Sequence, residues 1–463
     1  MSWPQSSAAL GPFFSSQAMA NVFSDEARIQ AMLDVEAALA WAQASCGLIP
    51  EAAAVAIDDA ASADNFDIGE IGGAVLNTGS LAIPLVKALT ALVAQSDQEA
   101  ARWVHWGATS QDIIDTGLVL QMRSALALIA DQIEPFGRHL AALAETHAET
   151  PIVARTLMQQ AIPTALGLKV AGWLSALMRA EESLRACAEK TLVLQFGGAA
   201  GNLASFGPDG MALSQALAGE LGLTLPDLPW HAQRDRIAEM GCALAVLLGA
   251  LSKMAGDLAL MAQTEIGEFS EPADGGRGGS SAMPHKANPV ACARIIAAAK
   301  RAPGLAATLL AAMDQEHERG LGGWHAEWET LPELFRLTSA ALEAACTIAE
   351  HGRFDTARMR ANLDATSGLV MAEAVTMTLA AKLGKAAAHE AVGRAARQAV
   401  AEKLHLRACL AADPEIAAYL PDAELDRLFT PENHLGAAPE FARRAAASWR
   451  RRLEQDSTEN THG

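Results

Sequence analysis

The sequence predicts an all-α protein built around long helices. Hydrophobic residues make up 51% of the 463 residues but aromatic residues only 5%, with a single tyrosine. Alanine and leucine, which are strong helix formers, therefore far outnumber the residues that favour strands. In addition, apolar residues recur at helical spacing across a tract at 229–268 that has no proline after its first residue. Such a helix is typical of a multi-helix bundle.

The overall composition excludes several classes of protein. A net charge of −19 argues against a general nucleic-acid binder, which needs basic surfaces. The six cysteines are scattered without C-x-x-C or paired histidine spacing, as expected for reduced thiols in a cytosol and not for a metal site. No signal peptide or membrane span is predicted. We therefore expect a soluble, cytoplasmic protein with no nucleic-acid partner, no membrane partner and no metal.

The first elements are predicted from capping residues and apolar spacing. Residues 1–22 are expected to be irregular. Ser24 then begins the helix SDEARIQAMLDVEAALAWAQASCG, which has acidic residues in its first turn and Gly47 at its end. Shorter helices are expected on either side of the glycine-rich residues 64–80, at 50–61 and 83–95.

The stretch HWGATSQDIIDTG at 105–117 leads into a predicted helix at about 111–148. Thr109 and Ser110 lie just ahead of this helix, where hydroxyls and free N–H groups make an anion site. A plain N-cap would use the same residues, so both interpretations stay open on this stretch alone. His105 likewise fits either a core histidine or a site residue.

The glycines in QFGGAAGNLASFG at 195–207 suggest a dinucleotide site only at first sight. Their spacing is G-G-x-x-G and not G-x-G-x-x-G, and no strand–helix–strand unit surrounds them. We expect a loop near the active site and no nucleotide cofactor.

The helical tract at 229–268 carries an apolar stripe, expected to be core or subunit interface, that comprises Leu244, Leu247, Leu248, Leu251, Met254, Leu258 and Met261. At its start, His231, Gln233 and Arg234 are predicted to face substrate, although a solvated helix cap is the alternative. A neutral imidazole at His231 could take or give a proton near pH 7.

The segment DGGRGGSSAMPHKANPV at 274–290 is the least ordinary in the chain. Its glycines allow close approach of backbone N–H groups to a ligand, and its prolines stiffen the backbone around them. Ser280, Lys286 and Asn288 are crowded around those prolines. We predict a loop that closes over an anion; a simple linker between helices is the alternative.

The remaining chain is also predicted to be helical. Helices are expected at about 289–312 and 330–350, and then shorter helices interrupted by glycine and proline. Three domains are predicted: an N-terminal helical domain at 1–110, a central long-helix domain at 111–352 and a C-terminal helical domain at 353–463.

Residues 279–289, GSSAMPHKANP, match every defined position of Gly-Ser-Ser-x-Met-Pro-x-Lys-x-Asn-Pro. This signature resembles that of the fumarase/aspartase superfamily. The resemblance implies a cofactor-free homotetramer with a fumarase/aspartase-like fold, whose helical core is a central bundle of long helices and whose active sites use residues from three subunits. It also implies that a small anionic carboxylate substrate gains or loses a group beta to its carboxylate. Ser280 would then act as the base, while Lys286 and Asn288 bind the substrate, with Met283 beside them.

Other segments extend this resemblance. Gly-x-Thr-Ser-x-Asp at 107–112 is similar to the superfamily segment whose Thr-Ser pair binds a substrate carboxylate. It assigns that role to Thr109 and Ser110, with Gln111 adjacent. The other candidate site residues are catalytic His231 and the substrate contacts His105, Arg155, Gln159, Arg234 and Arg319.

One departure from the superfamily pattern is informative. Where members usually have Arg-Thr-His, with a histidine that assists the leaving group, this chain has Leu157. A general acid matters when the leaving group is a strong base. A carboxylate, with a conjugate-acid pKa of about 4, can leave unassisted. Leu157 therefore favours the opening and closing of a lactone; the alternative is an enzyme that has lost its activity.

The branch of the superfamily is indicated by further segments. Residues 155–163, 195–201 and 327–328 together resemble bacterial 3-carboxy-cis,cis-muconate cycloisomerases. Trp324 and Trp328 stand where adenylosuccinate lyases usually have a serine and an arginine for a phosphate. The alternatives are another lyase of the superfamily, acting on a sulfonated muconate, an adenylosuccinate-like substrate or a substituted succinate, and a non-catalytic helical scaffold.

Overall fold

The structure is a computed structural model that describes residues 9–272, 278–279, 282–283 and 285–459. Helices dominate these residues, and the prediction of an all-α fold is confirmed. The strands form two small antiparallel pairs: β1 (Pro151–Thr156) with β2 (Gln159–Ala165), and β3 (Phe269–Ser270) with β4 (Arg353–Phe354).

The helices in the first half of the chain are α1 (Gly11–Phe14), α2 (Gln17–Val22), α3 (Asp25–Ser45), α4 (Glu51–Ala60), α5 (Ile68–Thr78), α6 (Ala82–Ser96), α7 (Ser110–Thr146), α8 (Leu166–Thr191) and α9 (Gly210–Leu221). The second half contributes α10 (Asp235–Met261), α11 (Val290–Ala311), α12 (Gly323–His351), α13 (Thr356–Asp364), α14 (Ala372–Leu383), α15 (Lys385–Glu402), α16 (Leu406–Ala412), α17 (Pro414–Ala417), α18 (Asp422–Leu428) and α19 (Ala438–Glu459). Short 3₁₀ turns lie at Ala63–Asn65, Ala100–Trp103, Ala204–Asp209, Leu369–Met371 and Pro431–His434.

The predicted capping of α3 is confirmed. The Ser24 hydroxyl accepts a hydrogen bond from the Ala27 N–H at 3.1 Å, which satisfies one of the unpaired donors of the first turn. Ile29 and Leu33 are buried, and Gly47 adopts the left-handed conformation just after the helix. Local capping and apolar spacing therefore determine this element.

The expectation that residues 1–22 are irregular is wrong for the described part. Helices α1 and α2 begin at Gly11 and Gln17. The Ser16 hydroxyl caps α2 by accepting from the Met19 N–H at 3.2 Å. The same hydroxyl is hydrogen-bonded to Ser339, far along the chain, so a tertiary contact helps to define this helix start.

The tract at 229–268 is less helical than predicted. Helix α10 has 27 residues, about 40 Å at 1.5 Å per residue, and α7 is longer with 37 residues. The helix begins late because Trp230 bonds elsewhere: its N–H donates to Gln195 Oε1 and its indole N–H to the Leu194 carbonyl. Beyond the helix, Gly267 adopts a left-handed conformation that ends the tract. The predicted apolar stripe is buried throughout.

Helices α7 and α10 are also long and apolar enough to cross a membrane by length and composition alone. About half of each apolar window is buried within the protein, 50% and 44%. Core helices have the same composition, so this is weak support for a membrane span.

The link at 151–165 is a β-hairpin, which the sequence did not lead us to expect. Leu157 and Met158 form its two-residue turn with φ of 50° and 65°. Positive φ at both turn positions matches the right-handed twist of paired strands. The β-branched Ile152 and Val153, both buried in β1, were the available signal.

The chain divides into two compact units. Unit 1 comprises Met1–Ile133, Ala180–Gly249 and Arg294–Glu343; unit 2 comprises Glu134–Arg179, Ala250–Ala293 and Ala344–Gly463. Within unit 2, α14, α15, α16 and α18 bury a core that includes Leu379, Val392, Leu410 and Leu425. The three domains proposed from the sequence stay a prediction.

Candidate active site

Asp112, in the first turn of α7, is the centre of a buried hydrogen-bond network in unit 1. Its Oδ2 accepts the N–H groups of Thr109 and Gly198, each at 3.0 Å. Its Oδ1 accepts the N–H of Gly197 at 3.0 Å and lies 2.7 Å from His231 Nε2. The bond to Thr109 is half of a capping box, so the helix start and the glycine loop are held by one carboxylate.

This network determines the orientation of the His231 imidazole. Because Asp112 accepts three backbone N–H bonds, it acts as the acceptor and His231 Nε2–H donates. In neutral His231 the proton therefore resides on Nε2, and Nδ1 carries the lone pair. The side chain is only 4% exposed. A buried carboxylate that orients an imidazole is the arrangement of general acid–base sites.

The glycine loop at 195–207 packs against the other edge of the same ring. A Cβ atom added to Gly197 would lie 2.9 Å from His231 Cε1 and 2.8 Å from the Pro229 side chain, too close to fit. At Gly201, which has φ of +74°, it would lie 3.6 Å from His231 Nδ1. Gly197 is thus needed for close approach and Gly201 for its left-handed backbone. The loop lies beside the His231 ring; that this is the active site stays a prediction.

Arg234 was predicted to face substrate, but in this chain it lies in a buried ion-pair network. It is 1% exposed and forms a salt bridge with Asp115 at 2.6 Å and another with Glu327. Burial alone would lower the pKa of Arg234, but the charges of Asp115 and Glu327 outweigh it and raise the pKa above its ordinary value. Trp324 also donates its indole N–H to Asp115 at 2.9 Å. Arg234 directly precedes α10, and its guanidinium is paired on both sides. It therefore links the start of α10 to α7 and α12 and does not face open space in unit 1.

Gln111 is likewise fully buried. Its amide N–H₂ donates to Asp115 at 3.1 Å and to the His231 carbonyl at 2.9 Å. It therefore positions the backbone of His231; the substrate contact assigned to Gln111 from the sequence stays a prediction.

Thr109 and Arg319 meet at the start of α7. Arg319 Nη1 donates to the Thr109 hydroxyl at 2.9 Å, and Nη2 donates to the Ala199 carbonyl at 3.2 Å. Both side chains and Ser110 are partly exposed. The guanidinium and the positive end of the helix dipole together favour an anion here. The carboxylate-binding role of these residues stays a prediction.

His105 adopts a left-handed conformation, with φ of 58°, and pairs with a buried acid. Its Nδ1 lies 2.6 Å from Oε1 of Glu36, which is 1% exposed. Burial lowers the pKa of His105, but the charge and hydrogen bond of Glu36 outweigh it and hold the pKa above its ordinary value of 6.5. This pairing fits the core-histidine alternative.

In unit 2, Arg155 is paired with a buried acid. Its two terminal nitrogens donate to the two carboxylate oxygens of Glu268, each at 2.8 Å. Asn362 also donates to Glu268 at 2.7 Å, so this bidentate pair ties β1 to the chain ahead of β3 and to α13. Because its guanidinium is already bound to Glu268, Arg155 is less available to a substrate carboxylate than an unpaired arginine would be.

Leu157 and Gln159 lie at the hairpin turn. Leu157 is 96% exposed, and Gln159 is also exposed. The position that usually holds the superfamily histidine is thus a surface residue within unit 2.

The signature segment is described in part, and Ser280 lies outside the described residues. Asn288 donates both its backbone N–H and its side-chain amide to the Gly278 carbonyl, at 2.8 and 3.0 Å. Met283 accepts the Lys286 N–H at 3.0 Å, and both side chains are exposed. Asn288 therefore ties Gly278 to the C-terminal part of the segment, and the Lys286 side chain is exposed to solvent.

No group of three or more His, Cys, Asp or Glu side chains among the described residues is arranged to hold a metal ion. The titratable groups are instead arranged in pairs such as Asp112–His231.

Two family models match most of the chain. The model described as lyase matches residues 14–304, and that for the adenylosuccinate lyase C-terminus matches 368–445. The chain belongs to the lyase family.

This lyase is 52% identical over 429 residues to the 3-carboxy-cis,cis-muconate cycloisomerase of Bradyrhizobium diazoefficiens, covering 93% of this chain and 95% of the relative. It is 44% identical over 430 residues to the nitrosuccinate lyase of Streptomyces davaonensis, covering 91% and 90%. The crystal structure of 3-carboxy-cis,cis-muconate lactonizing enzyme from Pseudomonas putida matches it with a TM-score of 0.92 and 49% identity, covering 96% of this chain and 99% of that one. The predicted membership of the fumarase/aspartase superfamily is confirmed.

Sequence reasoning missed several residues of this lyase that determine the site geometry. They are Glu36, Asp112, Asp115, Glu268 and Glu327, each a buried acid that pairs with a predicted site residue. For the four that lie in helices, the available signal was that an acidic residue in an apolar helix needs a partner. Glu268 lies outside the helices, just before β3, and carried no such signal.

Proposed function

We propose that this lyase is an intramolecular lyase that interconverts 3-carboxy-cis,cis-muconate and 4-carboxymuconolactone, in the catabolism of protocatechuate. The observation that carries the proposal is the 52% identity, over 93% of the chain, to a relative with this cycloisomerase name. The intact signature at 279–289 supports an active enzyme over a non-catalytic scaffold.

The chemistry is an addition and its reverse. In ring closure, an oxygen of one muconate carboxylate forms a C–O bond across a double bond, and a proton is added to the carbon alpha to a carboxyl group. In ring opening, Ser280 as alkoxide removes that alpha proton. The electron pair forms the C=C bond, the C–O bond breaks, and the departing group is a carboxylate.

The developing charge needs positive partners. Removal of the alpha proton places charge on the adjoining carboxyl group, and Lys286, Asn288 and the Thr109–Ser110 helix start are assigned to stabilise it, a role of the oxyanion-hole type. His231, whose Nε2–H is held by Asp112, is the second group suited to carry a proton.

The residue at the hairpin turn agrees with this chemistry. Leu157 cannot donate a proton, and its side chain is exposed and not packed into the core of unit 2. A carboxylate with a conjugate-acid pKa of about 4 leaves without an acid, so this chemistry requires no donor at that position. An amine or hydroxide leaving group would require one.

The proposal includes a cytoplasmic homotetramer, as the superfamily resemblance implies. Sedimentation equilibrium of the full chain tests the assembly directly; a mass of one 48.4 kDa chain would contradict it.

Turnover of 3-carboxy-cis,cis-muconate tests the function. The substrate is a conjugated diene and the lactone is not, so ultraviolet absorbance falls as the ring closes. We expect turnover by the wild type and its loss in Ser280→Ala, with the adjacent Ser281→Ala as the matched control that keeps most activity. Absence of turnover by the wild type would overturn the proposal.

The 44% identity to a nitrosuccinate lyase supports a second candidate, the elimination of a different group from a substituted succinate. Parallel assays with nitrosuccinate decide between the two. The higher kcat/KM identifies the preferred substrate class.

A further inference from the structure

Helix α11 begins at Val290, directly after the Asn-Pro that ends the signature. A helix start leaves its first N–H groups without an intrahelical partner, and the side chain of the preceding residue usually accepts one of them. The preceding residue here is Pro289, whose side chain has no acceptor. The acceptor for this helix start must therefore come from elsewhere in the chain.

Glu271 supplies that acceptor from 20 residues upstream. Its Oε2 accepts the Ala291 N–H at 2.9 Å, and its Oε1 accepts the Cys292 N–H at 2.8 Å. Both oxygens of the half-buried carboxylate are thus used on the first turn, where negative charge also complements the helix dipole. One carboxylate therefore joins the chain that enters the signature segment to the helix that follows it.

The chain just ahead of Glu271 is itself fixed within unit 2. Glu268 is bound by Arg155 and Asn362, and β3 pairs with β4 immediately after it. Glu271 follows β3 directly. The carboxylate is therefore carried on an anchored strand, and the part of the chain that its bonds hold in place is the start of α11.

Asn288 makes a second contact across the same segment. Its backbone N–H and its side-chain amide both donate to the Gly278 carbonyl, at 2.8 and 3.0 Å. Pro289, between Asn288 and α11, has a fixed φ and restricts the residue before it. A shift in the first turn of α11 is therefore passed on to Asn288.

The Cys292 thiol lies against the same carboxylate and is 0% exposed. Burial raises the pKa of this thiol, and the hydrogen bond and charge of Glu271 act in the same direction. A thiol at a helix N-terminus would otherwise have a lowered pKa and react readily. The reactivity of Cys292 therefore measures whether Glu271 holds the start of α11.

We propose that Glu271 is a positioning residue for the reaction of this lyase. By fixing the first turn of α11, its carboxylate sets where Asn288 and Lys286 meet the substrate. The inference rests on the proposed function, which assigns to these two residues the stabilisation of developing charge. Because both of its oxygens are engaged by α11, Glu271 acts through them and not by contact with the substrate.

Alkylation of the native full-length protein with iodoacetamide, followed by peptide mass spectrometry, tests the contact independently of any reaction. We expect Cys292 to react at least about tenfold faster in Glu271→Ala, because the helix start loses both acceptors. Glu271→Gln keeps one acceptor oxygen and should be intermediate. Cys187 and Cys409, buried elsewhere, are the internal references and should not change. A Cys292 rate in Glu271→Ala within about twofold of wild type overturns the proposal.

Steady-state kinetics separate positioning from simple support of the fold. With the substrate that the wild type turns over, 3-carboxy-cis,cis-muconate or nitrosuccinate, Glu271→Ala should lower kcat at least about tenfold with a smaller change in KM. Glu271→Gln should lower kcat less. A kcat of Glu271→Ala within about twofold of wild type would show that Glu271 only caps a helix.

The matched control is Asp413→Ala. Asp413 also accepts two first-turn N–H groups, those of Glu415 and Ile416 in α17, at 2.9 and 3.3 Å. Its loss should lower Tm and leave kcat unchanged, since it lies far along the chain from the signature segment. An equal fall of kcat in Asp413→Ala and Glu271→Ala would count against a positioning role.

Failure of this inference and failure of the proposed function give different results. A wild type that turns over neither substrate refutes the proposed function and with it the positioning role, while the alkylation still shows whether Glu271 holds α11. An active wild type whose kcat is insensitive to Glu271→Ala keeps the proposed function and refutes the positioning role alone.

Discussion

The carboxylate of Asp112 lies 2.7 Å from Nε2 of His231, and both side chains are almost fully buried. Three backbone N–H groups hold the carboxylate in place. The start of helix α7, the glycine loop and the His231 imidazole are therefore held together by one carboxylate.

Asp112→Asn should lower kcat about 10²-fold or more, because an asparagine neither compensates an imidazolium nor maintains the Nε2–H tautomer. Steady-state kinetics with 3-carboxy-cis,cis-muconate measure the effect. KM should change less than kcat if substrate binding depends on other groups.

A double-mutant cycle provides the control for Asp112→Asn. If Asp112 acts through His231, the substitution should add little to the loss already caused by His231→Asn. Equal losses of kcat in the wild-type and His231→Asn backgrounds would show instead that Asp112 only supports the fold.

Gly197→Ala should displace the His231 ring, since its new Cβ would lie 2.9 Å from Cε1. We expect a fall in kcat of on the order of tenfold or more, because small misplacement of a reacting group is costly. Gly219→Ala is the matched control: it lies within α9, has nothing within 4 Å, and should be neutral or stabilising by about 0.5–1 kcal/mol. Equal activity in the two variants would contradict the steric argument.

Arg234→Met should lower the free energy of unfolding by about 3–5 kcal/mol, because it leaves Asp115 and Glu327 as buried, uncompensated acids. Urea denaturation measures the change. Arg102→Met is the comparison, since the exposed Arg102–Glu99 pair should contribute less than about 1 kcal/mol. Similar losses in both variants would rule out a special role for the buried network.

The His105–Glu36 pair should make stability depend on pH. The folded-state pKa of His105 is above its ordinary value of 6.5, so the protonated ring stabilises the fold fully below about pH 6.5. That contribution is lost as pH rises through the folded-state pKa. The Tm difference between wild type and His105→Gln should therefore be larger near pH 6 than near pH 9.

His389→Gln, at an exposed position on α15, is the control for this pH series. Its Tm difference from wild type should stay nearly constant. A His105→Gln difference that grows with pH would have the wrong sign for a raised pKa.

Much of the fold was predictable because it depends on local chemistry. The start of α3 is determined by the capping residue Ser24, and the extents of α6 and α11 follow the helical spacing of apolar residues; both effects act over a few residues. The β1–β2 hairpin was missed because a short apolar segment gives little periodicity, and because two non-glycine residues form its turn.

The environments of the candidate residues were less predictable. Arg234 and Arg155 were both expected to offer charge to a substrate, yet buried acids from elsewhere in the chain pair with them. Glu327 lies 93 residues after Arg234, and Asp112 precedes His231 by 119. No spacing rule relates such partners, because tertiary packing alone brings them together.

By itself, the sequence determined the helical class of this lyase, its superfamily, and the signature segment that carries Ser280, Lys286 and Asn288. These features depend on composition, on helical periodicity and on a contiguous motif. Only the tertiary structure decided which charged side chains are already paired, as Arg234 is with Asp115 and Glu327. The physical reason is that the cost of burying a charge depends on the groups that surround it, and those groups come from distant parts of the chain.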